Sequence, residues 1–282
     1  MPLILPHAPQ FSLFETNLPA NPSFTVPGIA VSNPAGAANT KDTTWTQMVA
    51  STAADYQCIT VSFFSSSASN TDTSTLIDIG IGASTAETVI IPDLLAGFCG
   101  APNVAARHYI FPLRIPSGSR VSARSQSVRT TGSTVVLINL YGGPRNPDAW
   151  WAGSTVTAYG INLADSGAVS VTAGNSGAET GTPVSIGTTT SHHECLVVGT
   201  QGNKGTYSAN LGYYWDVGID TASTAWLQQD GFYMTHGTTE QVSPGGVWWP
   251  IFAPVPSGSV LVMGGECSGT AETLDFALYG IS

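Results

Sequence analysis

Apolar residues along this chain occur in short runs, and clusters of Gly, Ser, Thr and Pro separate the runs. Runs of this length bounded by turn formers are typical of the strands of β-sandwiches and barrels. Some runs alternate, so that Ile77, Ile79 and Ile81 would lie on one face of a strand and Asp78 and Gly80 on the other. The pattern predicts an all-β protein with strands over Cys58–Phe64, Leu76–Ile81, Arg120–Ser125, Val135–Tyr141, Cys195–Val198, Tyr213–Ile219, Ser259–Met263 and Leu274–Tyr279.

The composition favours the same fold class. Charged residues make up only 9% of the 282 residues, so the chain has few of the Lys, Glu and Arg that favour helices. Thr, Val, Ile, Tyr and Trp favour strands instead. The one segment for which we predict a short helix is Thr43–Ala50. Asp78 and Asp216 lie inside apolar strands, and we expect each to pair with a turn or a neighbouring strand rather than with a metal ion.

The second half of the chain repeats features of the first half at an offset of 137 to 140 residues. Each match alone is weak, but the ordered set predicts an internal duplication. Four pairs of segments match in the same order: Tyr56–Val61 with His193–Val198, Ile77–Ile81 with Trp215–Ile219, Ile115–Ser119 with Val255–Ser259, and Leu140–Gly142 with Leu278–Gly280.

Breaks in the pattern divide the chain. The segment Gly142–Asp148 is rich in turn formers and falls where the first copy ends. The first nine residues contain three prolines, which favour an extended arm that lies against another subunit. We therefore predict two tandem antiparallel β-sandwiches of the jelly-roll type, arranged as an N-terminal arm (1–19), repeat 1 (20–143), a linker (144–148) and repeat 2 (149–282).

Charge is unevenly distributed between the two halves. The formal net charge is −10; residues 1–144 carry 6 basic and 7 acidic side chains, whereas residues 145–282 carry 2 and 11. Nucleic-acid binding is not expected, because phosphate contacts need clustered cations. Membrane insertion is not expected either, since no apolar run approaches the roughly 20 residues of a spanning helix. The N-terminus also lacks the cationic and apolar regions of a signal peptide.

Two segments resemble catalytic or metal-binding motifs, but the residues around them do not predict the structure that such a site requires. Gly265–Gly269 has the spacing of a nucleophile elbow but leads into a strand instead of a helix. His192–Cys195 would place at most two metal ligands on one strand face, so a strand-entry turn is the better interpretation. The sequence therefore predicts no enzymatic activity, no cofactor and no metal site. No CxxC pair occurs, and we expect buried free thiols at Cys58, Cys99, Cys195 and Cys267.

Arginines and tryptophans are the remaining candidates for function. Six of the eight basic residues lie between 107 and 145, and repeat 2 has no counterparts to this group. Guanidinium groups pair well with carboxylates, so these arginines could bind the acidic repeat 2 of a neighbouring subunit; a solvated strand face is the alternative. The candidate subunit-interface residues are Arg107, Arg114, Arg120, Arg124 and Arg129.

Six of the seven tryptophans follow residue 149, and two adjacent pairs are among them. In an extended pair one ring points inward and the other outward, where it can stack on a sugar or anchor a partner protein. Packing in the core is the alternative for each ring. The candidate ligand or partner contacts are Trp151, Trp226 and Trp249.

With the repeat defined, the ordered motifs resemble β-sandwich structural proteins of tailed bacteriophage virions. An aromatic stretch that ends in proline (Tyr109–Pro112, Trp248–Pro250) precedes the Pro-Ser-Gly-Ser turn and the closing strand in both copies. The resemblance covers residues 20–282 and brings no catalytic residues with it.

The resemblance implies a non-enzymatic virion component, located in a fibre, a tail or neck, or a capsid decoration. It also implies synthesis in the host cytoplasm, contacts with other virion proteins, and a homo-oligomer such as a trimer. The alternative function is a carbohydrate- or receptor-binding module that would bind a host surface glycan through the tryptophans of repeat 2.

Overall fold

The computed structural model describes a chain of strands and connecting turns. No residue in the described ranges is helical, and none of these ranges contains a helix long and apolar enough to cross a membrane. The described ranges are 13–17, 28–65, 74–97, 107–142, 151–175, 183–202, 211–219, 226–236, 247–248, 250–269 and 273–282.

Nine strands of repeat 1 form two antiparallel sheets. They are β1 (Leu13–Thr16), β2 (Ile29–Ser32), β3 (Thr46–Val49), β4 (Cys58–Ser65), β5 (Thr75–Ile81), β6 (Thr88–Leu95), β7 (Arg107–Phe111), β8 (Val121–Ser127) and β9 (Ser133–Gly142). In one sheet β9 pairs with β1, β2 and β4, and β4 pairs with β7; the other sheet has the order β3-β8-β5-β6. Successive strands cross between the two sheets except at the β1–β2 and β5–β6 connections, which is the topology of a jelly roll.

Ten strands of repeat 2 follow the same plan. They are β10 (Val156–Tyr159), β11 (Ile161–Asn162), β12 (Gly167–Thr172), β13 (Val184–Thr188), β14 (Cys195–Gly202), β15 (Leu211–Ile219), β16 (Trp226–His236), β17 (Val247–Trp248), β18 (Val260–Cys267) and β19 (Thr273–Ile281). One sheet is built on β19, which pairs with β10, β12 and β14; the other has the order β13-β18-β15-β16. The prediction of an all-β protein is confirmed, and its antiparallel sheets are consistent with a β-sandwich fold.

The predicted helix over Thr43–Ala50 is wrong. Its residues 46–49 form β3, in which Thr46 lies opposite Ala123 of β8. Met48 and Val49 are buried between the sheets. A helix of eight residues is marginal in isolation, so burial of these side chains in a strand determines the local structure.

The strand β5 is interrupted at the same places as β15. The β5–β6 register shifts between Ile77 and Ile79 and again before Gly80. The β15–β16 register shifts between Trp215 and Val217 and again before Gly218. Bulges are specific features of a sheet, so their recurrence 138 residues later supports the duplication hypothesis.

The Pro-Ser-Gly-Ser turn is held by the same hydrogen bonds in both repeats. Thr52 Oγ1 donates to Pro116 O (2.7 Å) and accepts from Ser119 N (2.9 Å). Thr189 Oγ1 makes the same two bonds to Pro256 O and Ser259 N, at the same two distances. The third residue of each turn, Gly118 or Gly258, has a φ of 75° or 84°, which glycine adopts at little cost.

One of the four sequence matches is out of register. The amide of Gln57 donates to Tyr141 O (2.9 Å), and the amide of Glu194 donates to Ile281 O (2.9 Å). The structure therefore equates Tyr141 with Ile281, not with Tyr279. The matched Leu-Tyr-Gly motifs lie two residues apart on equivalent strands, which preserves the face of each side chain but not its position along the strand.

The N-terminal arm is partly a strand of repeat 1. Leu13–Thr16 pairs antiparallel with β9 of the same chain, and the amide of Asn17 donates to Ile138 O (3.2 Å). Together β1 and β2 fill one strand position along β9, as β10 and β12 do along β19. Residues 13–17 are thus held by their own chain; residues 1–12 and the linker 144–148 lie outside the described residues.

The buried residues confirm two smaller expectations. Asp78 lies on the face of β5 away from the core and pairs with the neighbouring strand β8 through Arg124. Cys58, Cys195 and Cys267 are buried free thiols, whereas Cys99 lies outside the described residues. Burial raises the pKa of Cys58 and Cys195 to about 12, so both are protonated near neutral pH.

Candidate functional site

The two repeats meet along strand β7. Val247 and Trp248 of β17 pair in parallel with His108 and Tyr109. The amide of Gly153 donates to Pro112 O (2.9 Å), just beyond the end of β7. The sheet built on β9 therefore continues into repeat 2 through backbone hydrogen bonds.

Tyr279 of repeat 2 completes the edge of repeat 1. Its hydroxyl donates to Asp93 O (2.9 Å) and accepts from Leu95 N (3.0 Å), two backbone groups of β6. Its ring packs edge-on against Tyr109 and Phe111, with centroids 6.2 and 6.0 Å apart. Burial raises the pKa of Tyr279 well above its ordinary value. One side chain thus satisfies polar groups that an exposed edge strand would leave to water.

A hairpin of repeat 2 forms a second contact. The Nε2 of Gln126 donates to Leu163 O (2.6 Å), and Ser166 Oγ donates to Asn39 Oδ1 (2.8 Å). Both Asn39 and Ser166 have positive φ values, 57° and 55°. The contact therefore joins two tight turns from different repeats.

Arg107 lies inside the chain. It is the first residue of β7 and is fully buried. Its charge lowers the pKa of Tyr109 and Tyr279, although burial is the larger cause in both and raises the pKa of Tyr109 to about 12. The predicted arginine interface placed Arg107 on a surface that binds another subunit; the structure places it where repeat 1 meets repeat 2 of its own chain.

The other candidate arginines lie in different parts of repeat 1. Arg120 pairs with the buried Glu87, and its Nε donates to Gln47 Oε1 (3.2 Å). Arg114 is exposed, with its amide bonded to Gly153 O (2.9 Å). Arg129 is half-buried, and its amide donates to Ser127 Oγ (3.1 Å). Contact of the exposed arginines with another subunit stays a prediction.

An ion-pair network covers the outer face of the sheet β3-β8-β5-β6. Arg124 Nε lies 2.9 Å from Asp78 Oδ2, and its guanidinium stacks over the ring of Trp45 at 4.6 Å. Lys41 Nζ lies 3.0 Å from Asp78 Oδ1 and 2.6 Å from Asp93 Oδ1. We call Lys41, Asp78 and Asp93 the lysine–aspartate cluster.

The backbone around this cluster includes a residue with a positive φ and a glycine against which a tryptophan ring packs closely. Asp93 has a φ of 54°, and its amide donates to Asp78 Oδ1 (3.0 Å). Trp45 lies against the α-carbon of Gly80, where any Cβ would be 2.7 Å from the ring. Burial raises the pKa of Asp93; contact with Lys41 opposes the shift and the nearby Asp78 adds to it.

A clasp closes the end of each sandwich. In repeat 1, Glu15 Oε2 accepts from the Tyr56 hydroxyl (2.8 Å) and from Ala53 N (3.0 Å). Burial, followed by the bond and charge of Glu15, raises the pKa of Tyr56 to about 12. In repeat 2, the Tyr159 hydroxyl lies 2.6 Å from His193 Nε2 and accepts from Thr190 N (3.4 Å).

His193 belongs to this clasp. The residue is buried, its backbone pairs with Val255, and its Nδ1 lies 3.0 Å from Ser282 Oγ. Burial lowers its pKa, and the neighbouring His192 lowers it further. The exposed His192 instead contacts Glu194 (3.2 Å). Among the described residues no three His, Cys, Asp or Glu side chains are arranged to hold a metal ion.

Only one of the three candidate tryptophans has a described side chain. Trp151 is 38% exposed, so part of its ring is available to a ligand. Trp226 is the first residue of β16, but its side chain lies outside the described part of the chain, as does all of Trp249. The most exposed aromatic side chains in the described ranges are Phe14 and Phe252, which the sequence did not single out.

Sequence reasoning also missed Lys41, Asp93 and Trp45. Lys41 is the only lysine in residues 1–144, so its isolation was a usable signal. Asp93 lies at an irregularity of β6 that no residue pattern indicates. Tyr279 was noticed as part of a motif, but nothing in the sequence placed it against β6.

Comparisons with known proteins identify no close relative. No family model matches the chain, and no curated protein matches it. The solved structure of PNGF-II has 10% identity and a TM-score of 0.37; the alignment covers 95% of this chain and 65% of PNGF-II, so this chain spans about two thirds of that length.

Two further structures align over most of both chains. PBSX exported protein XepA has 10% identity and a TM-score of 0.23, with 96% of this chain and 87% of XepA covered. The CBM22-1–CBM22-2 tandem domain of Paenibacillus barcinonensis Xyn10C has 13% identity and a TM-score of 0.21, with 84% and 86% covered. Similarities at this level identify neither a family nor a function.

Proposed function

We propose that this protein is a non-enzymatic structural component of a bacteriophage virion, in an external fibre, a tail or neck, or a capsid-decorating assembly. The observation that carries the proposal is the junction between the repeats. The Tyr279 hydroxyl forms hydrogen bonds with two backbone groups of β6 in repeat 1. In the other sheet of repeat 1, β17 adds a strand next to β7. Two jelly rolls joined in this way form a stiff unit, which suits a load-bearing part of a particle.

The chemistry of the polar groups supports the same function. The described arginines Arg120 and Arg124 are bound to carboxylates of their own repeat and do not line an open site. Buried charge of this type fixes geometry more than it adds stability. Other virion proteins and further copies of the chain are the proposed partners, and the virion is the proposed location.

Purified particles test the assignment. A tagged copy of the chain should be found in gradient-purified particles by mass spectrometry, and labelling with an antibody to the tag should locate it on the head, neck or tail. Presence in the infected-cell lysate together with absence from purified particles would contradict the proposal.

A truncation tests how the protein is attached. Deletion of residues 1–12 leaves β1 and its Glu15 clasp in place, so we expect a folded protein that no longer enters particles. A variant in which residues 1–12 are replaced by a Gly/Ser segment of equal length is the control for spacing. Normal incorporation of the truncated protein would remove the role of the arm.

A second function is favoured by the exposed ring of Trp151. Half-exposed indole rings stack on sugars, so the protein could also bind a surface glycan. A glycan array should then show binding that Trp151→Ala, Trp226→Ala or Trp249→Ala weakens, and that the control Phe252→Ala, at an exposed aromatic residue, leaves intact. Absence of binding by the wild type would remove this function.

A further inference from the structure

The lysine–aspartate cluster brings an amine and a carboxyl group to bonding distance. Lys41 Nζ lies 2.6 Å from Asp93 Oδ1, and the two residues are separated by 52 positions in the chain. The carboxylate of Asp78, whose side chain is almost completely buried, contacts both partners: it accepts from Lys41 Nζ and from the Asp93 amide. A nucleophile, an electrophile and a proton acceptor therefore lie together.

The surrounding backbone fixes this arrangement. The segment before β3 pairs with β8, since Asn39 N donates to Ser127 O and Asp42 N to Ser125 O. That pairing holds Lys41 above the sheet. Asp93 is turned toward Asp78 by its positive φ, a conformation that persists only where neighbouring contacts enforce it. Tyr279 supplies one such contact by donating to the Asp93 carbonyl.

We propose that Lys41 and Asp93 form an intramolecular amide bond, with Asp78 transferring the proton. The inference rests on these three side chains and does not depend on the virion assignment. The bond would join the strand segment before β3 to β6, and so would connect opposite edges of one sheet covalently.

The reaction is balanced without a co-reactant. A proton first passes from the Lys41 ammonium to the Asp93 carboxylate, which leaves a neutral amine and a neutral acid. The lone pair of Nζ then attacks Cγ of Asp93 and forms the C–N bond. Asp78 accepts a proton from this nitrogen and delivers it to the departing hydroxyl, so that the C–O bond breaks and one water molecule leaves. No group is oxidised or reduced.

The environment favours the neutral form of the Asp93 acid. Burial raises the pKa of Asp93, so the site favours the protonated acid that the attack requires. Arg124 pairs with the second oxygen of Asp78 and stacks on Trp45, which keeps the Asp78 carboxylate in position as a base. In the described part of repeat 2 no arginine takes the corresponding place: Gly264 lies opposite Asp216, where Arg124 lies opposite Asp78.

Intact-mass measurement tests the proposal. The purified full-length chain, measured in denaturing solvent, should be lighter than its sequence mass by one water molecule. Peptide mapping should then find a branched peptide that joins the segments around residues 41 and 93. A wild-type protein that keeps its full sequence mass after prolonged incubation at neutral pH would overturn the proposal.

Substitutions at Lys41 and Asp93 distinguish the amide bond from other reactions that remove one water molecule from the chain. Lys41→Arg retains the positive charge but not the nucleophile, so it should keep its full mass; a succinimide at an aspartate would lose water in this variant as well, and that result would overturn the proposal. Asp93→Asn would release ammonia instead of water. The crosslinked Asp93→Asn and wild-type chains would then have identical masses, and the branched peptide distinguishes this product from a succinimide at position 93, which would give the same mass.

Discussion

The equivalent outer sheet faces of the two repeats share a backbone but not a chemistry. In repeat 1, Asp78 binds Arg124 and Lys41, and Trp45 lies over the sheet. In repeat 2, Asp216 occupies the same place in a strand with the same bulges, but a glycine, Gly264, stands opposite it. The comparison indicates that the two repeats share the bulges and turns of their backbone, whereas the charged residues on the outer sheet face differ between them.

The largest effect should come from the aspartates themselves. Asp78→Ala leaves Lys41, Arg124 and the Asp93 amide without their common acceptor. Because the two cations are partly exposed, we expect a loss of about 3 kcal/mol, at the low end for a broken buried pair. Asp216→Ala should cost less. Urea unfolding of both variants measures the difference, and equal losses would show that the two faces are energetically alike.

The contact between the repeats gives the next effect. Tyr279→Phe removes a hydroxyl that serves two buried backbone groups of β6, so a loss of roughly 2 kcal/mol is expected. Tyr141→Phe is the matched control, on the half-buried outer face of the equivalent strand, and should change stability by less than about 0.5 kcal/mol. Hydrogen exchange of the Leu95 amide should rise in the first variant only; unchanged protection would argue against the contact.

The shared turn should respond equally in both repeats. Thr52→Val and Thr189→Val each remove one donor and one acceptor from a Pro-Ser-Gly-Ser turn without changing side-chain volume much. We expect about 1.5 kcal/mol from each substitution. If the denaturant midpoints of the two variants differ by more than the experimental error, the two turns do not contribute equally to stability, contrary to what their identical hydrogen bonds indicate.

The clasps should differ in their response to pH. Burial lowers the pKa of His193 below 6.5, so the unfolded state binds the proton first and stability falls as the pH drops below about 6.5. The slope cannot exceed about 1.4 kcal/mol per pH unit for one group. His193→Gln should flatten this part of the curve, measured by thermal unfolding from pH 7.5 to 5. In the clasp of repeat 1, Tyr56 takes the place of His193, and its pKa is raised to about 12, so a Tyr56→Phe variant should keep the wild-type slope between pH 7.5 and 5.

The strands could be predicted because their alternation and turn residues are local. The alignment of equivalent positions in the two repeats could not be predicted, as the Leu-Tyr-Gly match shows. A two-residue offset keeps Tyr141 and Tyr279 on the same face of the strand, so the pattern of apolar and polar residues does not reveal the offset. The predicted helix failed for a related reason. Thr43–Ala50 shows no clear period, and its pairing with β8 decides its conformation.

The candidate sites were harder to predict than the fold. The arginines are close in sequence but dispersed in the structure because they lie on different elements: Arg107 begins β7 in one sheet, Arg124 lies on β8 in the other, and Arg114 lies between these strands. Lys41 and Asp93 come together only through pairing of the chain before β3 with β8 and through the bulge in β6. Contacts of that kind depend on tertiary structure and leave no local pattern.

The hydrogen bond from Leu95 to Tyr279 also has a consequence for folding kinetics. It joins residues 184 positions apart, whereas the pairings among β1 to β9 use only residues 13–142. Contacts of such separation form slowly, because a long loop must close first. Repeat 1 can therefore assemble while the backbone of β6 still lacks its partner. During that interval β6 is an open edge that another chain could pair with, so high concentrations during refolding should favour aggregation.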